Sequence, residues 1–148
     1  IQQATMIRFL KKNVTLSKKV YSTYADLKNN PPIADAYISG SDQIWNTQNY
    51  NLPDDVKGYY LQYVPQGKIK LAYASSIGKD EFSDEEKVSV KEYLKDFKAI
   101  SVREKSAVSM LEEIGVDNAV HVLDPTLLLS KEEKRKPKQK GKTISLSA

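Results

Sequence analysis

Between residues 34 and 129, short apolar runs alternate with stretches in which apolar residues recur every three or four positions, and the two patterns predict different elements. Ala34-Asp35-Ala36-Tyr37-Ile38-Ser39, stopped by Gly40, reads as a strand, as do Ile69–Ser76, Ala99–Val102 and Asn118–Leu123. Ser83-Asp84-Glu85-Glu86 fits a capping box, in which the serine hydroxyl meets the amide three residues on and Glu86 reaches back. Val88, Val90, Tyr93, Leu94 and Phe97 then supply the apolar face of a helix ending near Lys98. A second helix is predicted over Glu104–Ile114, with Ala107, Val108, Leu111 and Ile114 on one side and Gly115 suited to the left-handed position that closes it.

Upstream the pattern is looser. Met6, Ile7, Phe9, Leu10, Val14 and Leu16 are helically spaced within 5–19, and Tyr21, Tyr24 and Leu27 continue for another turn or two before Asn29-Asn30-Pro31-Pro32 breaks the helix. Residues 46–58, rich in Asn, Asp and Pro, read as a loop; 59–64 is aromatic and packed but of open type, and 65–68 is a turn. Short strands alternating with ordinary helices predict an α/β fold: a Rossmann-like parallel sheet with flanking helices, covered on both faces. Thr143-Ile144-Ser145-Leu146 reads as one more strand.

Length and charge refine this picture. At 148 residues and 40% apolar content one core is the default, and no run approaches the ~20 apolar residues that would cross a bilayer. Residues 1–16 lack the continuous apolar region of a secretory signal, so the cytoplasm is the expected compartment, and the absence of Met at position 1 suggests a start inside a longer protein. The chain has no cysteine and one histidine, so disulfides, thiolate metal sites and a cysteine nucleophile drop out and no metal is expected. The net charge of +4 is local: 131–142 holds seven of the 23 basic residues and two of the 19 acidic ones, leaving 16 against 17 elsewhere. The body is therefore not a nucleic-acid binder by charge, and the basic run reads as a solvated linker.

Each predicted strand ends in small or polar residues: Gly40-Ser41-Asp42-Gln43, Ser75-Ser76-Ile77-Gly78-Lys79, Arg103-Glu104-Lys105-Ser106 and Asp124-Pro125-Thr126. In an open parallel sheet ligands sit outside the carboxyl ends of the strands, so these clusters would share one rim. A plainer account stands beside this one, because strands end in turns and turns are polar. Ser41-Asp42 suits a helix cap, Gly40 and Gly78 suit turns, and Trp45 suits packing. Arg103-Glu104 suits either an ion pair or anion recognition, and His121, inside a strand, suits a structural role. No G-x-G-x-x-G, Walker, H-E-x-x-H or G-x-S-x-G motif occurs.

Taken in order, D-A-Y-I-S-G-S-D-Q-I-W-N (35–46), I-K-L-A-Y-A-S-S-I-G-K (69–79), A-I-S-V-R-E-K-S-A (99–107) and V-L-D-P-T-L-L-L (122–129) resemble the polysaccharide pyruvyl transferase family over about residues 24–129. The resemblance implies transfer of pyruvate from phosphoenolpyruvate, as donor substrate and with no cofactor, to hydroxyls of a sugar or lipid-linked glycan as a ketal. It also implies one half of a GT-B-like, two-domain architecture. On that basis 1–130 is expected to be an incomplete N-terminal Rossmann-like domain, 131–142 a linker and 143–148 the first strand of a truncated second domain that would carry the donor site. The chain alone is expected to be inactive. Asp42 is the candidate catalytic residue, with Ser41, Gln43, Asn46, Ser75, Ser76, Arg103, Glu104 and Asp124 as substrate-binding candidates. A nucleotide-sugar glycosyltransferase and a non-catalytic carbohydrate-binding domain are the alternatives.

Overall fold

A computed structural model describes Arg8 and residues 15–50, 54–130 and 145–146. Within them the elements run β1 (Thr15–Leu16), α1 (Tyr24–Asn29), β2 (Ala36–Ser39), a 3-10 turn (Thr47–Asn49), α2 (Asp55–Tyr59), β3 (Ile69–Ser75), α3 (Asp84–Leu94), β4 (Phe97–Val102), α4 (Lys105–Glu113), β5 (Ala119–His121), a second 3-10 turn (Pro125–Leu127) and β6 (Ser145–Leu146). Strands β2-β3-β4-β5 form a four-stranded sheet in that order, every pair parallel. The chain thus has the α/β, Rossmann-like sheet with flanking helices that its patterning predicts. Separately, β1 pairs in parallel with β6. The linker 131–142 and most of the predicted helix over 5–19 lie outside the described residues, and Thr15–Leu16 within that span is strand.

Local chemistry explains the helix ends. Ser83 caps α3 through a reciprocal box with Glu86, and Gly115 follows α4 with φ +79°. Two boundaries differ from expectation. Helix α3 stops at Leu94, because Phe97 is taken into β4 opposite Lys70, and Val88, assigned to its inner face, points to solvent. The 46–58 loop contains a 3-10 turn and α2, whose Val56 is buried; residues 51–53 lie outside the description.

The core occupies one face of the sheet. Ser39, Ala72, Ile100 and Ala119 are in register and buried beneath Val90, Leu94, Ala107 and Leu111 of the helices. Cover on both faces is therefore met on one only, among the described residues: in the alternate positions Ile38 is 54%, Ile69 40% and Val120 55% exposed. The reason is topological. Each step from β2 to β5 moves the same way across the sheet, and right-handed crossovers then place every connection on the same side.

At the site end, β3 bulges between Ala72 and Ser75, and Ala74 takes φ +51°, a region that costs a residue with a Cβ. The buried Ser101 hydroxyl fills the gap, donating to the Ala72 carbonyl (3.0 Å) and accepting from the Ala74 amide (3.1 Å). Trp45, fully buried, stacks on Tyr60 with ring centroids 4.9 Å apart, and Phe97 meets the indole edge-on. Trp45 is thus a packing residue, whereas the Tyr60 hydroxyl is buried with no hydrogen-bond partner and burial pushes its pKa up.

Two variants test this account by urea denaturation. Ser101→Ala should lose about 1–3 kcal/mol, the cost of stranding two buried backbone groups, and should speed exchange of the Ala74 amide. Tyr60→Phe removes only an unpaired polar group and should be neutral or stabilising by up to about 1 kcal/mol.

Candidate functional site

The segments after β2, β3 and β4 are stitched together by backbone bonds that extend the ladder past the strands. Ser76 donates its amide to the Asp42 carbonyl (3.0 Å) and accepts from the Trp45 amide (3.1 Å), while the Arg103 amide reaches the Ser75 carbonyl (3.2 Å). Gly40, at φ +140°, lies so close to β3 that a Cβ there would be 1.9 Å from the Tyr73 carbonyl oxygen, so only glycine fits. A Cβ on Gly78 would likewise be 2.8 Å from the Gln43 side chain. Both glycines therefore bring loops together as well as turning the chain.

On this frame the predicted residues separate into two groups. Asp42, Gln43, Ser76, Arg103, Glu104 and Asp124 meet at the carboxyl ends of the strands. Arg103 is the centre: its Nε donates to Glu104 Oε1 (3.1 Å), and its Nη1 donates to Asp124 Oδ2 (3.3 Å) and lies 4.0 Å from Asp42 Oδ1. Ser76 Oγ donates to the same Glu104 Oε1 at 2.7 Å. Burial opposes the guanidinium's charge, but Glu104 and Asp124 outweigh it and raise its pKa; the Thr126 hydroxyl and amide, with Arg103, hold Asp124 below the ordinary carboxylate value. The Asp42 side chain is 92% exposed and its Oδ1 accepts from the Gln43 amide (2.8 Å), so it stands free at the rim rather than capping a helix.

The other candidates face inward. Asn46 is buried, its amide donating to the Gly78 carbonyl (3.2 Å) and its oxygen accepting from the Gln48 amide (3.0 Å). Ser75 is buried and donates to the Ser39 carbonyl (3.3 Å). Ser41 is half-buried beside Asp42. His121 Nε2 lies 3.1 Å from the Arg103 carbonyl, in keeping with a structural role.

Beside the rim lies an open depression of about 320 Å³ lined by Gln43, Gly78, Lys79, Asp80, Glu104 and Ser106, with the buried Ile77 and Ala107 beneath it. Gly78, Lys79 and Ser106 belong to the polar clusters of the sequence, whereas Asp80 lies just beyond them, and only their meeting across loops marks them out. Glu104 Oε2 is buried beneath the surface with no hydrogen-bond partner. The Lys79 ammonium is committed to Glu86, which also accepts from Thr47 and the Ser83 amide.

Opposing electrostatic effects act on any anion in this depression. The N-terminus of α4 would attract it by about 0.3–1 kcal/mol. A carboxylate at roughly 4 Å would repel it by about 4 kcal/mol at the effective dielectric of a protein surface. Asp42, Glu104 and Asp124 already share the one Arg103, so the carboxylates prevail and the rim favours hydroxyl donors over anions. Among the described residues no group of three His, Asp or Glu could hold a metal ion, and no helix is long and apolar enough to cross a membrane.

A family model described as polysaccharide pyruvyl transferase matches residues 2–148. No curated protein and no solved structure matches significantly.

The Lys79–Glu86 contact gives a pH-dependent prediction. Burial would raise the Glu86 pKa, but hydrogen bonds from Lys79, Thr47 and Ser83 outweigh it and hold the value at about 2, against an ordinary 4.5. A depressed carboxylate contributes stability that is complete above the unfolded value and lost as pH falls through the folded one. Glu86→Gln should cost about 2 kcal/mol at pH 7 and remove the part of the acid-induced loss that falls between about pH 4.5 and 2, read from urea midpoints across that window.

Proposed function

The chain belongs to the polysaccharide pyruvyl transferase family, and from that premise we propose that its rim is the acceptor side of a transfer of pyruvate from phosphoenolpyruvate to a cell-surface glycan. The observation that carries this reading is the convergence of Asp42, Arg103, Glu104 and Asp124 on one rim of a chain that matches the family from residue 2 to 148. Carboxylates recognise sugar hydroxyls by accepting their protons in hydrogen bonds, and an acidic rim is a poor seat for a donor that carries both phosphate and carboxylate. The donor is therefore held by basic groups outside this rim, and the reaction takes place in the cytoplasm.

Phosphoenolpyruvate and two hydroxyls give the ketal and inorganic phosphate. One hydroxyl proton ends on the methyl carbon and the other on phosphate, while the two sugar oxygens form bonds to the central carbon and its bond to the phosphate oxygen breaks. The acceptor side must orient both hydroxyls and take up a proton as each attacks. Asp42, exposed and held by the Gln43 amide, is the group we assign to that proton, with Gln43 orienting the neighbouring hydroxyl. Arg103 holds Glu104 and Asp124 by hydrogen bonds and lies 4.0 Å from Asp42.

Phosphate release from phosphoenolpyruvate with glycan acceptors, measured on the protein that carries this chain, tests the assignment. Asp42→Asn should lower kcat by about 10²–10⁴-fold, the range for a positioned base, and leave KM for phosphoenolpyruvate nearly unchanged. An unaltered kcat would remove Asp42 from the chemistry, and no release with any glycan would count against the family activity here.

A further inference from the structure

Resting on the acceptor reading, we propose that the exposed ring of Tyr59, set against Tyr50, is a subsite for the sugar unit next to the one that receives pyruvate. The acceptor is then read as a chain of at least two units. Tyr59 ends α2 and Tyr60 follows it, and the two rings go opposite ways: Tyr60 is buried on Trp45, whereas Tyr59 is 43% exposed. Tyr50 packs on Tyr59 with ring centroids 4.9 Å apart and planes inclined by 31°, which holds the Tyr59 ring in one orientation while much of it stays in water.

The pair is fixed to the loop that carries Asp42 and Gln43. The Tyr50 hydroxyl donates to the Ile44 carbonyl (2.7 Å). The Tyr59 carbonyl accepts from the Ser39 hydroxyl before that loop and from Trp45 Nε1 at its far end (3.3 Å). Burial, with Tyr59 and Asp42 adding to it, pushes the Tyr50 pKa up, so its phenol lies within electrostatic reach of Asp42. The 3-10 turn just before Tyr50 exposes Gln48 and Asn49, and the Asn49 amide donates to the Gln43 carbonyl (3.4 Å). Aromatic face and amides together match a pyranose. Its C–H groups form an apolar, weakly positive face that suits the negative face of an aromatic ring, and side-chain amides donate to and accept from its hydroxyls. Ile44, which Tyr50 grips, is two residues from Asp42, at most about 7 Å of chain, so the ring serves a neighbouring unit of the same glycan.

The test compares acceptors by length. Phosphate release from phosphoenolpyruvate is measured on the protein that carries this chain, with methyl glycosides of glucose, galactose and mannose and with their disaccharides and tetrasaccharides. In the wild type, kcat/KM for the acceptor should rise at least about threefold from one unit to two. Tyr59→Leu, which keeps apolar bulk against Tyr50, should remove most of that gain, and Tyr59→Phe, which keeps the ring, should retain it. In saturation-transfer NMR, irradiating the tyrosine ring protons should saturate C–H protons of the second unit, and less so in Tyr59→Leu. Equal kcat/KM for one unit and two in the wild type would overturn the inference and leave the acceptor reading standing. A loss in Tyr59→Leu as large for single sugars as for disaccharides would also overturn it, since the ring would then only hold the loop. A gain that survives Tyr59→Leu would remove Tyr59 from the subsite. No phosphate release with any of these acceptors would overturn the acceptor reading and the inference with it.

Discussion

Ser76 is the residue on which the site's geometry depends, because three polar groups of one buried side chain and its backbone join three segments. Its amide and carbonyl hold the Asp42–Trp45 loop, and its hydroxyl fixes Glu104 at the start of α4. Together with the Asn46 side chain, which donates to the Gly78 carbonyl, this hub holds the loop after β2 beside the loop after β3 and brings Asp42 to within 4.0 Å of Arg103. The neighbouring glycines serve the same end: Gly40 and Gly78 occupy places where a Cβ would collide with Tyr73 or Gln43. Close approach of backbones is thus what turns separate strand ends into one rim.

Local patterns were enough to recover the parts of the fold decided locally. The Ser83–Glu86 box, the Gly115 cap and the four sheet strands each depend on residues a few positions apart, and they stand near where periodicity predicts. Phe97 shows where that stops. Its spacing from Val90 and Leu94 suits a helix, yet pairing with Lys70, set by a partner far along the chain, draws it into β4. Asn46 and Ser75 show the same limit at the site. They carry polar side chains beside functional candidates, but their partners, Gly78 and Ser39, are 32 and 36 residues away. Polarity at a strand end does not tell a rim residue from one that ties the rim together.

The uncovered sheet face has the same non-local origin. Ile38, Ile69 and Val120 have the apolar character of a buried strand, so composition alone suggests cover on both sides. Strand order decides otherwise among the described residues, since a sheet built outward in a single direction receives its helices on a single face. A second layer requires connections that run the other way across the sheet.

The distribution of charge reaches from topology to chemistry. Parallel strands bring every carboxyl end to the same side, so the acidic residues that follow β2, β4 and β5 necessarily gather there. One arginine among three carboxylates anchors Glu104 and Asp124, with Asp42 at 4.0 Å, without making the rim positive. The amide end of α4 attracts anions, but by less than a single nearby carboxylate repels them. An arginine just beyond a strand, read alone, suggests an anion site; surrounded by Asp42, Glu104 and Asp124, it becomes the brace of a surface that accepts protons from hydroxyls.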